Sequence, residues 1–207
     1  MPVTTTTKGE RTRARIVERA APVFNQRGYA GASMRDLVAA TGLEKGGLYN
    51  HFGSKEALAV ASFDHSVAVQ RDRLAHARAS ATNAADQLVA IIAAFGVWAS
   101  DPAVPGGCPI MNTAIETDDG HPELRDRARQ SMTLWHRLIG RIVKDGIAAG
   151  TLAADTDPYV LAALLTSSLE GALMLSRLYE DPAYTDRVVD HLVAHVETLR
   201  AVPEEAP

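Results

Sequence analysis

Lys8, Arg11, Arg13, Arg15, Arg19, Arg27, Arg35, Lys45 and Lys55 crowd the first 55 residues of a 207-residue chain, opposed there by Glu10, Glu18, Asp36 and Glu44. Guanidinium and ammonium groups neutralise phosphates, so this local balance of +5 marks residues 1–55 as a candidate polyanion-binding module. The remainder carries −9, for a formal net charge of −4, and an acidic body repels polyanions. A solvated, arginine-rich helix face accounts for the same charges, so charge alone leaves both readings open.

Other candidate chemistry is sparse. Cys108 is the single cysteine, which excludes an internal disulfide and a thiolate zinc cluster. A cysteine nucleophile needs a base beside it. His121 and His136 are the candidates, but their spacing singles out neither, and a buried small thiol is the simpler account of Cys108. His191 and His195 stand one helical turn apart, a spacing that suits two metal ligands, yet no third ligand falls in register. The expectation is no catalytic constellation, no metal and no cofactor. No run of about 18 apolar residues occurs, which argues against a membrane span. Residues 1–7 lack the basic-then-apolar pattern of a secretory signal, so the expected location is the cytoplasm.

The elements that position these residues are helices. With 46% hydrophobic residues and 22% charged, the chain suits one or two globular domains. Apolar residues recur at helical spacing almost throughout, with no sustained two-residue alternation, so the fold class is all-α. Helical segments are expected over about residues 10–27, 34–40, 44–51, 54–79, 83–99, 110–117, 122–149, 158–179 and 185–202. Ile16, Val17, Ala20, Val23 and Phe24 share one face of the first, which stops at Gly28. Pro22 lies inside it and costs about 3 kcal/mol unless the helix kinks there. Ser33 is a good N-cap with Asp36 three residues on, and Asp157 before Pro158 has the same character.

Two short helices joined by Thr41-Gly42-Leu43 in a basic region make the sequence picture of a helix-turn-helix. Around it stand Gly28-Tyr29, Ser33-Met34-Arg35-Asp36, Tyr49-Asn50-His51-Phe52 and Ser54-Lys55-Glu56. With these elements in this order, residues 10–60 closely resemble the DNA-binding domain of TetR-type (tetracycline-repressor-like) transcriptional regulators. Gly106-Gly107-Cys108-Pro109-Ile110 and Leu169-Glu170-Gly171-Ala172 also look like one branch of that family. Glu44 departs from the small hydroxyl residue common at the start of the recognition helix, where it is an acid compatible with the helix dipole.

The resemblance implies an all-α homodimer. Its N-terminal three-helix helix-turn-helix DNA-binding domain would cover residues 8–55, its helical effector-binding and dimerisation domain 56–202, and a tail 203–207. The implied partners are double-stranded operator DNA and a small-molecule effector that releases a repressor from a palindromic site. Lys45, Gly46, Tyr49 and Asn50 are the expected groove-facing residues, while Ser33, Arg35, His51 and Lys55 match positions that clamp phosphates. Leu48 and Phe52 are expected to hold the recognition helix from the core. Lys55→Ala is expected to weaken binding on all sequences and lower the salt slope by about one.

An effector cavity between helices needs apolar walls and a few polar anchors. The candidates are Trp98, Cys108, Met111, Asn112, Ile115, Glu116, Trp135, His136, Ile139 and Met174. Asn112 and Glu116, spaced i and i+4, are the expected polar anchors. Glu116→Ala is accordingly expected to alter the ligand response and spare operator affinity. Leu161, Leu164, Leu165, Ser168, Leu169, Ala172 and Leu175, then Val188, Leu192, Val196 and Leu199, form two stripes suited to a four-helix dimer interface, unless both are consumed within one chain. Rival readings are a DNA-binding activator or architectural protein without an effector, and a small-molecule enzyme.

Overall fold

The computed structural model describes residues 7–117 and 120–201, and its regular structure is helical except for an isolated bridge between Leu152 and Arg200. The helices are α1 (Lys8–Gly31), α2 (Met34–Thr41), α3 (Lys45–Phe52), α4 (Lys55–Ala77), α5 (Ala84–Ser100), α6 (Pro109–Glu116), α7 (Pro122–Ala148), α8 (Pro158–Tyr179) and α9 (Ala183–Thr198). A 3-10 turn, Arg78–Ser80, follows α4. The tail 203–207 lies outside the described residues.

Packing gathers these elements into two compact units, Met1–Val69 with Val104–Arg129, and Gln70–Ala103 with Gln130–Pro207. In the first, Ile16, Val17 and Ala20 of α1 meet Leu37 of α2, Leu48 and Phe52 of α3, and Leu58 of α4. Full burial of each large aliphatic side chain contributes about 1.5–3 kcal/mol. Pro22 does not break α1: the one residue inside it with non-helical backbone is Gly28, at φ 72° and ψ 173°. The bond that Pro22 removes belongs to Glu18, which is exposed, and the real break waits for a residue that tolerates positive φ.

The second unit is built on α5, α8 and α9, with Leu88, Ile91, Ile92 and Phe95 packed in its core together with Leu165, Leu169, Leu192 and Val196. A Cβ on Gly96 would stand 3.2 Å from a methyl of Val189, so the glycine lets α5 and α9 approach closely. Asp157 caps α8 by accepting from the N–H groups of Tyr159 and Val160 at 2.7 and 3.1 Å. The last helix ends at Thr198, short of the expected 202. Beyond it Arg200 turns away to pair with Asp86 at 2.7 Å, and the Leu199 carbonyl accepts from the Ala153 N–H at 2.8 Å. α8 is long and apolar enough to cross a membrane by length and composition alone. Within the chain its Leu161, Leu165, Leu169, Ala172 and Leu173 are buried.

Candidate nucleic-acid interface

Local chemistry fixes where α2 and α3 start and stop. The Ser33 hydroxyl accepts from the Asp36 N–H at 3.2 Å while the Asp36 carboxylate accepts from the Ser33 N–H at 3.0 Å, a reciprocal cap. The Ser33 hydroxyl also donates to the Asp36 carboxylate at 2.6 Å, and this bond, with the one from the Ser33 N–H, holds the Asp36 carboxyl below the usual aspartate range. At the other end of α2, Gly42 takes φ 70° and returns its N–H to the Val38 carbonyl at 3.0 Å. Two residues later Glu44 takes the N-cap position of α3, making no side-chain cap bond. Leu48 and Phe52, one turn apart, are buried; Lys45, Gly46, Tyr49 and Asn50 are exposed, with Gly46 and Asn50 on the side opposite the buried pair. A Cβ at Gly46 would meet nothing within 4 Å.

Three of the arginines counted as phosphate-directed charge have work inside the unit. The Arg13 guanidinium lies 3.9 Å from the Phe52 ring centroid and donates to the His51 carbonyl at the end of α3. Arg19 donates to the Thr41 carbonyl at 3.4 Å, at the end of α2, and Arg27 pairs with Asp36 at 2.8 Å, at its start. A cation at a helix C-terminus complements the helix dipole, as does the Asp36 carboxylate in the first turn of α2 that Arg27 pairs with. Sequence reasoning missed these clamps. Their signal is spacing: Arg13, Val17, Ala20, Phe24 and Arg27 form one stripe of α1, with the two arginines at either end of its apolar part. Lys8, Arg11, Arg15, Arg35 and Lys45 remain exposed.

The other phosphate candidates differ in their surroundings. His51 is half-buried and Ser33 exposed. Lys55 is half-buried, with its ammonium donating to the Tyr29 carbonyl and lying 4.5 Å from the Tyr29 ring centroid. The Tyr29 ring in turn meets His121 edge-on at 4.5 Å, and His121 Nε2 is 3.1 Å from a Glu56 oxygen.

The ten effector candidates divide between the two units. Cys108, Met111, Asn112, Ile115 and Glu116 belong to the first. Cys108 is buried, with its sulfur accepting from the Met111 N–H at 3.5 Å as the N-cap of α6. Asn112 donates to the Asn25 and Gly106 carbonyls, and Glu116 accepts from the Tyr29 and Ala30 N–H groups, so both expected anchors have partners along α1 and its loop. Ile115 is 70% exposed. Of the second unit's five, Ile139 is fully buried, Met174 half exposed, and Trp98 lines a crevice with Phe95 and Leu74 that has no room for a water molecule. Trp135 Nε1 and His136 Nε2 converge on the Thr166 hydroxyl at 2.8 and 3.2 Å. Among the described residues no cluster of three or more His, Cys, Asp or Glu side chains is arranged to hold a metal ion.

Two family models match the chain: bacterial regulatory proteins of the tetR family over residues 16–61, and the tetracyclin repressor-like C-terminal domain over residues 84–192. The chain is 26% identical over 167 residues to the HTH-type transcriptional repressor DhaR of Mycobacterium sp. (strain GP1), covering 80% of this chain and 82% of that protein. A TetR transcriptional regulator from Chloroflexus aurantiacus is 42% identical, with a TM-score of 0.90 over 94% of this chain and 99% of its own. One from Cytophaga hutchinsonii is 33% identical, with a TM-score of 0.87 over 96% and 100%. Regulators of this kind bind operator DNA and dimerise, and they are not enzymes. With the helix-turn-helix, its braced recognition helix and both family models in place, the chain belongs to the TetR family of helix-turn-helix transcriptional regulators.

Proposed function

We propose that the protein acts in the cytoplasm as a homodimeric repressor, released from a palindromic operator by a small molecule. The exposed face of α3 carries this reading. Lys45, Gly46, Tyr49 and Asn50 stand free of the core on a helix held from behind by Leu48, Phe52 and Arg13. Lys45 suits a guanine edge or a phosphate, Asn50 an adenine edge, and Gly46 lets the backbone approach the groove. Ser33, Arg35 and His51 are assigned to the phosphate backbone, while Lys55 contributes by holding Tyr29 in place. Residues 8–55 form the DNA-binding part in this reading, and 56–202 supply effector binding and dimerisation.

For the dimer, Val160, Leu164, Met174 and Leu178 leave an apolar face of α8 exposed, with Gly171 open between them. For the effector, convergence of Trp135 and His136 on Thr166 supplies polar groups beside the buried Ile139. We therefore assign ligand contact first to Trp135 and His136, ahead of Asn112 and Glu116.

Selection of duplexes from a randomised library at two salt concentrations tests the whole. The expected product is a palindrome with half-sites about one helical turn apart. Retention without an enriched sequence would remove the operator, and a small-molecule screen yielding no ligand-dependent thermal shift would remove the effector.

A further inference from the structure

We propose that Glu116 is a positioning residue for DNA binding: its carboxylate closes the break in α1 from which the α2–α3 unit departs. The inference rests on the reading of α3 as the DNA-contacting helix. At Gly28 the backbone leaves the helical region for one residue, and the next two N–H groups, of Tyr29 and Ala30, converge on one carboxylate at 2.8 and 2.9 Å. Two charge-assisted bonds to consecutive backbone donors make a strong, directional anion cradle. It admits no side chain at position 28. The φ of 72° favours glycine, and a Cβ there would stand 2.5 Å from a Glu116 oxygen.

The far side of the same residue is held as well, because the Lys55 ammonium takes the Tyr29 carbonyl. Both peptide groups of Tyr29 are thus gripped by charged side chains from other helices. The Ala32 N–H then returns to the Gly28 carbonyl at 3.1 Å, and Ser33 caps α2 immediately afterwards. The turn held by Glu116 therefore leads directly into the first turn of α2.

Glu116 is itself presented by a fixed element. One turn earlier on α6, Asn112 donates to the Asn25 carbonyl at 3.2 Å and the Gly106 carbonyl at 2.8 Å. Asn25 donates back to the carbonyls of Pro105 and Gly107 at 3.1 and 2.9 Å. Gly106 lies on α1 so closely that a Cβ would stand 2.7 Å from the Asn25 backbone. The i, i+4 pair Asn112 and Glu116 thus faces α1, and α6 acts as a splint along its last turns. A recognition helix discriminates bases only when held to within a fraction of an ångström, and twofold symmetry imposes any error on both half-sites.

The test uses the full-length protein, the palindrome obtained by selection, and a random duplex of equal length. Glu116→Ala is expected to bind the palindrome about tenfold more weakly, with random-duplex binding and salt slope unchanged and unfolding still cooperative. Glu116→Gln keeps one acceptor oxygen and is expected to lose about threefold. In both variants the Tyr29 and Ala30 amide proton resonances should move upfield. Equal or tighter palindrome binding by both variants would overturn the proposal, since Glu116 would then act only as a charge repelling DNA. Unmoved amide resonances would overturn it too, as would loss of cooperative unfolding in both variants, which would make Glu116 a folding residue. If the unmodified protein selects no palindrome, the operator reading itself fails and this proposal with it, a result visible before any variant is made.

Discussion

Gly46 stands in the first turn of α3 with open space where a Cβ would be. Gly46→Ala should therefore stabilise the free protein by about 0.5–1 kcal/mol through helix propensity and a less flexible unfolded chain. The same methyl would stand between α3 and the groove, so operator affinity should fall by about tenfold. Thermal unfolding and anisotropy titration together check this, since the two quantities move in opposite directions. Lys55 invites a similar separation. Its ammonium is engaged with the carbonyl and ring of Tyr29, so Lys55→Met should lower thermal stability. The logarithmic salt slope of binding should change by clearly less than the one unit expected for a lost phosphate contact. A full unit would place the ammonium on the DNA instead.

α2 depends on its caps because eight residues are too few to be stable alone. Ser33→Ala removes the hydroxyl that pairs with Asp36 and should cost about 1 kcal/mol. It should also let the Asp36 carboxyl rise toward the ordinary aspartate range, since the serine bonds are the main cause of its lowering. The sign follows from linkage. A carboxyl whose folded-state pKa lies below its unfolded value contributes stability at pH values above the unfolded one, about 3.9. That contribution is lost as pH falls through the lower folded value. Carbon-detected titration of Asp36 in the wild type and in Ser33→Ala measures the shift directly, and an unchanged midpoint would show that the cap does not form.

Regulators of this family dimerise, and the free surface of α8 suits that purpose. Its inward residues Leu161, Leu165 and Leu169 are consumed within the chain, as is Leu192 of α9. Leu164 and Met174, 39% and 51% exposed, stand on the other side with Val160 and Leu178. Most of the stripe expected at an interface is thus buried within one chain, and of the exposed α8 residues only Leu164 belonged to it; Val160, Met174 and Leu178 did not. Leu164→Arg combined with Met174→Arg should leave the fold intact and yield a monomer by sedimentation at micromolar concentration. Operator binding should then drop to the level of a random duplex, because a single head reads a single half-site. A dimer that survives both charges would assign the interface elsewhere.

The elements legible in the sequence were those decided by neighbours within a turn or two. Ser33 with Asp36, the glycine at 42, and Asp157 before Pro158 placed the ends of α2 and α8, because caps act between residues three or four apart. The core face of α1 and the exposed face of α3 were readable for the same reason: helical periodicity follows from spacing alone. The partner across a gap in sequence was not readable. Asn112 and Glu116 were visible as one face of α6, but that the face meets Asn25 and the Gly28 turn, some 87 residues away, depended on folding. Likewise Arg13 and Arg19 read as surface charge until their carbonyl partners were in place, and α9 ended early because Arg200 found Asp86, 114 residues before it. By itself the sequence determined which residues are helical, where most of those helices start and stop, and which family they form, since those depend on short-range bonding and local pattern. The tertiary structure decided which charges are committed to architecture and which remain for DNA, because a side chain's partner is set by whatever the chain brings within hydrogen-bond reach.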